Sequence, residues 1–142
     1  RTDNKGRALI QTYQPEHPVV EAILKGNDDD FWVSEAKQRE LACMPPFGKL
    51  VGVILSSSDF ERAMSVANQL KNNTQALDII GARAYGPAPA PIARIKRRHR
   101  IRLLIKSPRT PGLQDAVRKW VTNVSLKGDL RLSIDIDPQS FY

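Results

Sequence analysis

Gly86–Lys106 reads GPAPAPIARIKRRHRIRLLIK, and how this stretch is parsed decides the fold. Pro87, Pro89 and Pro91 fix φ and remove a backbone donor at alternate positions. The first half is therefore predicted to be extended and outside any sheet interior. The second half carries Arg94, Lys96, Arg97, Arg98, Arg100 and Arg102, six cations in nine positions, and passes into the apolar run Ile101–Ile105, which reads as a buried strand. A stiff lead, a basic hairpin and a core strand predict a cationic edge held out from a rigid sheet. The cations have two readings: a solvated face that only aids solubility, or a phosphate-binding ribbon. Their density, the net charge, and the shape imposed by Gly86 and the prolines favour the ribbon.

The flanking sequence supplies the rest of the sheet. Leu50–Leu55, LVGVIL, is a near-continuous apolar run, predicted to be a central strand. Ser56–Asp59 closes it with an N-cap, and Phe60, Ala63, Met64, Ala67 and Leu70 follow on one helical stripe that frays at Asn72–Thr74. Asp78–Ala84 is predicted as a second strand, leading into Gly86, and Ile101–Ile105 as the third. After the turn Ser107–Gly112, the residues Leu113, Ala116, Val117, Trp120, Val121 and Val124 mark the cleanest amphipathic helix, ended by Lys127-Gly128. Leu130–Asp137 alternates apolar and polar residues, the pattern of a strand with one buried face. The order from residue 47 is β-α-β-β-α-β. The predicted class is α+β: a ferredoxin-like four-stranded antiparallel sheet with two helices on one face. That topology serves many functions and names none.

Before residue 47 the signals are weaker. Ala8–Tyr13 reads as a short strand, Pro18–Gly26 as a helix opened by proline, and Phe31–Ala42 as a second helix behind the acidic cap Asn27–Asp30. Those carboxylates suit a helix N-terminus better than a metal, since no calcium-type loop follows. Met44-Pro45-Pro46-Phe47-Gly48 reads as a boundary between residues 1–46 and 47–142. Charge changes sign there: six Lys/Arg against eight Asp/Glu before it, net −2, and sixteen against seven after it, net +9. Any nucleic-acid contact is thus expected in the second part.

Composition narrows the remaining classes. The 142 residues are 41% hydrophobic, enough for one core. Cys43 is the single cysteine, so no intrachain disulfide is possible, and with only His17 and His99 beside it no bound metal is expected. One thiol suits a reducing cytoplasm. No apolar stretch approaches the roughly 20 residues needed to span a bilayer, so no membrane partner is expected. The arginine at position 1 suggests a piece of a longer protein.

Several stretches resemble the PriA family, the bacterial replication-restart DNA helicases also known as primosomal protein N′. Arg7–Pro18, RALIQTYQPEHP, is similar to the segment after the family's last helicase motif. Arg39-Glu40 with Pro45-Pro46-Phe47 resembles the approach to its C-terminal domain. Gly86–Pro91 with the basic residues behind it is the most specific local signature, and Asp135-Ile136-Asp137-Pro138 resembles the chain end. The resemblance implies that residues 1–46 are the tail of a second helicase lobe and 47–142 a domain that binds branched or single-stranded DNA and docks partners. It implies for a whole family member an ATP-dependent 3′-5′ helicase of the bacterial cytoplasm, with ATP, Mg and Zn as cofactors and other primosome proteins as partners. This chain has no phosphate-binding loop, acidic helicase box or cysteine cluster, so it is expected to hydrolyse nothing by itself, to hold none of those cofactors and to have no catalytic residues. Arg1 alone is assigned no role.

Two candidate sites follow. In the ribbon, strand parity would put Arg94, Lys96, Arg98, Arg100 and Arg102 on one stripe and Arg97 and His99 on the other. About four to five phosphates held there predict a log–log salt slope of roughly −3 on single strands. His99 is expected to be a surface donor. Tyr85 is either a base stacker or packing at a strand end; Trp120 is expected in the core; Phe141 and Tyr142 are docked or free. The second site is the turn Ser107–Gln114, where Arg109 and Gln114 flank a helix N-terminus. It is either an ordinary solvated helix start or a seat for an acidic peptide, such as the tail of single-stranded DNA-binding protein that the resemblance implies. Two other readings of the domain remain: a ribosomal-type RNA-binding module and a pure protein-interaction domain.

Overall fold

The computed structural model describes residues 6–26 and 28–138; Arg1, Asn27, Phe141, Tyr142 and the Asp28 side chain lie outside the described residues. Contacts divide the chain into two compact units that part between Gln38 and Arg39.

The first unit is helical. Helix α1, Pro18–Lys25, opens on Pro18, with the His17 ring accepting from the Val19 amide at 3.3 Å, and ends at Gly26 with φ 62°. Proline supplies a helical φ where no donor is needed, and glycine takes the left-handed cap without a Cβ penalty. Helix α2, Asp28–Leu41, begins at the acidic run. The strand expected at Ala8–Tyr13 is absent: those residues are irregular and exposed. A lone extended segment leaves its backbone groups unpaired, and the other described elements of its unit are helices.

The second unit is the expected sheet with its helices. Strand β1 is Gly48–Ser57, helix α3 Phe60–Asn72, a single turn α4 Gln75–Asp78, strand β2 Arg83–Ile95, strand β3 Arg98–Pro108, helix α5 Leu113–Val121 and strand β4 Arg131–Ile136. The sheet order is β2-β3-β1-β4 with every pair antiparallel. Val51, Val53 and Leu55 of β1 and Ile101, Leu103 and Ile105 of β3 are fully buried with the apolar stripes of α3 and α5. Trp120 is at the centre, and its indole Nε1 donates to the Leu70 carbonyl at 2.9 Å, so its one polar atom is satisfied. Asp59 caps α3 by accepting from the Arg62 amide at 3.1 Å.

Four elements differ from expectation. Asp78–Ala84 is not all strand: its start belongs to α4, where fully buried Leu77 joins the core, and Gly81 at φ 71° turns the chain so that β2 begins at Arg83. A short apolar run does not separate helix from strand by period alone. β2 then continues through the prolines to Ile95 as the edge strand, with register irregularities at Tyr85/Ala88 and Pro89/Arg94. An edge is where a strand tolerates missing donors. Gly86, at φ 96°, passes so close that a Cβ would sit 2.9 Å from the Arg102 carbonyl oxygen. α5 stops at Val121 rather than at Lys127-Gly128, and the Thr122 hydroxyl donates to the Lys119 carbonyl at 2.7 Å. β4 lies at the opposite edge; Leu130 is buried and Leu132 partly so, while Ile134 and Ile136 on the same face each remain 36% exposed.

Candidate nucleic-acid interface

The basic run folds back on itself. β2 and β3 are joined by Lys96 and Arg97, both left-handed at φ 49° and 63°, with Ile95 paired to Arg98 and Arg94 to His99. A two-residue turn with both φ positive matches the twist of the flanking strands, and glycine or asparagine takes it most readily. Here two long cations take it, at a steric cost of about 1–2 kcal/mol per residue. Both are exposed, as is Arg94.

The turn breaks the expected five-cation stripe. Parity counts along one strand, but a reversal resets it, so the face is fixed by pairing across the hairpin. Arg94 shares the face of His99, whereas Arg98, Arg100 and Arg102 share the other. His99 lies on the helix side, edge-on to Phe60 at 5.7 Å between ring centroids, rather than as a free surface donor.

Arg98 is a structural residue. Its guanidinium donates to the Ser56 carbonyl at 2.8 Å and to the Asp129 carbonyl, and pairs with the Asp129 carboxylate at 3.3 Å. Asp129 also accepts from the Ser58 amide and the Ser57 hydroxyl, both at 2.7 Å. The Ser58 amide first, then the Ser57 hydroxyl and, with a smaller effect, the Arg98 charge hold its carboxyl well below the usual carboxylate range. The node ties the base of the hairpin to the start of α3 and the loop before β4.

The remaining cations meet on the sheet face away from the helices. Across the strands, Arg102 aligns with Ile54 and Ser133, Arg100 with Ser56 and Arg131, Leu104 with Gly52 and Asp135, and Arg83 with Lys106. Directly paired residues point to one side of a sheet, so Arg83, Arg100, Arg102, Lys106 and Arg131 share this face. Arg100 also donates to the Ile92 carbonyl at 3.3 Å. A groove of about 480 Å³ lies here, floored by Ile54 and Ser56 and walled by Ile95, Lys96, Arg100 and Arg131. Tyr85, 46% exposed, stands opposite Leu104 on the same face. Sequence reading missed Arg83, Lys106 and Arg131. Lys106 has the parity of Arg102, and Arg131 lies on the polar side of β4, but only the strand order brings them together.

Arg109 and Gln114 are both exposed, the first in the turn after β3 and the second in the first turn of α5. Gly112, at φ 87°, caps that helix with no side-chain bond. No contact joins Arg109 to Gln114 among the described bonds. Among the described residues no three His, Cys, Asp or Glu side chains gather as metal ligands, and the single cysteine is exposed, so this chain's donors do not fit the zinc site implied for a whole family member. No described helix is long and apolar enough to cross a membrane.

Comparison with known proteins agrees with the fold. Residues 40–139 match the family model described as the primosomal protein N C-terminal domain. The replication restart protein PriA of Rickettsia conorii is 30% identical over 142 residues, all of this chain and 22% of that protein. Its namesakes from Haemophilus influenzae and Bacillus subtilis are 27% and 26% identical, over 98% and 97% of this chain and 19% and 18% of theirs. The chain spans about a fifth of the length of these relatives. It belongs to the PriA family, and its sheet, open cationic face and basic hairpin form the primosomal C-terminal domain of that family.

Proposed function

We propose that this chain is the DNA-contacting and partner-docking part of a replication-restart protein, which as a whole works as an ATP-dependent 3′-5′ DNA helicase in the bacterial cytoplasm with other primosome proteins. One observation carries the reading: two exposed cations occupy the strained tip of a hairpin where glycine or asparagine would be cheaper. A local rule broken without a packing gain points to function. The cations at the tip and along the strands, Lys96, Arg97, Arg100 and Arg102, hold phosphates without reading bases, because phosphate contacts position a strand and do not specify it. Arg109 and Gln114 take an acidic peptide such as the tail of single-stranded DNA-binding protein; loss of acidic-peptide binding in Arg109→Glu is the expected outcome, and unchanged affinity removes that assignment. ATP, Mg and Zn act elsewhere in the whole protein.

The test is binding of forked DNA, single-stranded DNA and a folded RNA over a salt series, for the wild-type chain and Lys96→Ala/Arg97→Ala. Wild-type binding to DNA with a log–log slope of about −3 on single strands, weakened about tenfold in the variant, is expected. Preference for the RNA would favour a ribosomal-type module. A slope near zero, or an indifferent variant, would move the function to protein docking alone.

A further inference from the structure

The hairpin tip supplies charge but little surface. The sheet face behind it supplies both. Lys96, Arg100 and Arg131 wall one groove whose floor is Ile54 and Ser56, and among the described residues no carboxylate lines it. Arg100 and Arg131 flank Ser56 from neighbouring strands on either side, so they lie about 10 Å apart across the sheet. Further along β3 are Arg102 and Leu104, with Tyr85 beside Leu104 and 46% exposed. Asp135 is the carboxylate paired onto this face, and it lies at the Leu104 end beside Gly52 rather than in the groove. Cations at the walls, an apolar floor and an exposed ring on one open sheet suit a polyanion whose flat apolar groups are accessible. A duplex hides those groups; a single strand presents them, and base–aromatic stacking tolerates any sequence.

We propose that the helix-free face of the sheet is the seat of a single nucleic-acid strand, with Lys96, Arg100 and Arg131 on its phosphates and Tyr85 stacked on a base. This deepens the DNA-binding reading and rests on it. The strand crosses from β4 over β1 and β3 to β2, so Arg131, which is 34 positions from Arg97 in sequence, belongs to the same binding surface as the hairpin.

The experiment uses the whole chain, an oligothymidine, a blunt duplex, and the variants Arg131→Glu, Arg131→Lys, Tyr85→Leu and Lys96→Ala/Arg97→Ala. Arg131→Glu is expected to weaken oligothymidine binding about tenfold and to make its salt slope shallower by about 0.7, with Arg131→Lys close to wild type. Tyr85→Leu is expected to cost about five- to tenfold on the single strand, with less effect on the duplex. An iodouracil-substituted strand should photocrosslink to Tyr85. If the tip variant loses binding while Arg131→Glu and Tyr85→Leu bind as wild type and no adduct forms on Tyr85, the sheet-face seat is wrong and the ribbon stands alone. If the tip variant also binds as wild type, or nothing binds, the DNA-binding reading itself falls.

Discussion

Arg98 shows how one residue in a charged run can differ in kind from its neighbours. In sequence it is one of six cations; in the fold it braces Ser56 and Asp129 with its side chain 23% exposed. Arg98→Ala is expected to lower the melting temperature by several degrees, since it strands the carbonyls and carboxylate it satisfies. Lys96→Ala and Arg97→Ala at the exposed tip should leave melting unchanged, so a thermal scan separates brace from ligand. Asp129 adds a pH signature. Its folded pKa is depressed, so its contribution is present above the ordinary carboxylate range and is lost as pH falls toward the folded value. Asp129→Asn should therefore flatten the acid side of the stability curve, measured by denaturant midpoints from neutral pH downward. Nothing in the sequence singled out Arg98 or Asp129, because their partnership spans 31 positions.

At the scale of elements, the hairpin sets local strain against use. Replacing its tip by the turn's preferred pair, Lys96→Asn/Arg97→Gly, is expected to stabilise the domain by about 1 kcal/mol while weakening DNA binding. Chemical denaturation alongside the binding series checks both signs; a variant that loses stability would mean that the cations hold the turn. The same hairpin marks the limit of what patterns foretell. The β-α-β-β-α-β order was legible because β1, β3, α3 and α5 carry apolar runs or stripes long enough to declare their period. The parity argument failed at Lys96-Arg97 because alternation is a property of one strand and a turn resets it. α4 was hidden because Ile79, Ile80 and Ala82, after the helical turn that ends at Asp78, read as the start of an apolar strand. Ala8–Tyr13 looked like a strand because its residues suit one, but strand formation also needs a neighbour. Arg131 could not be joined to the basic run without the strand order.

At the scale of the whole domain, the two candidate sites sit at opposite ends of β3. The hairpin tip precedes Arg98 and Arg109 follows Pro108, so eleven strand residues, about 33 Å, separate them, and Leu104, opposite Tyr85, lies about 16 Å from Arg109 along the chain. That distance exceeds the roughly 8 Å screening length at physiological salt, so the sites should act independently. Saturating acidic peptide is expected to leave DNA affinity within twofold of its peptide-free value at physiological ionic strength. Direct competition would place both ligands on one surface.

The two edges of the sheet are unlike. Along β2, Pro87, Pro89 and Pro91 delete donors and the register breaks twice, so another strand cannot zip onto it. β4 has no proline within Arg131–Ile136, and its Ile134 and Ile136 remain part-exposed. The domain is thus a one-ended template: it can accept a foreign strand at β4 and offers no continuation beyond β2. Two copies joined edge to edge through β4 would each turn a proline-blocked side outward, so strand-mediated self-association through this sheet terminates at a pair and does not propagate into a fibre.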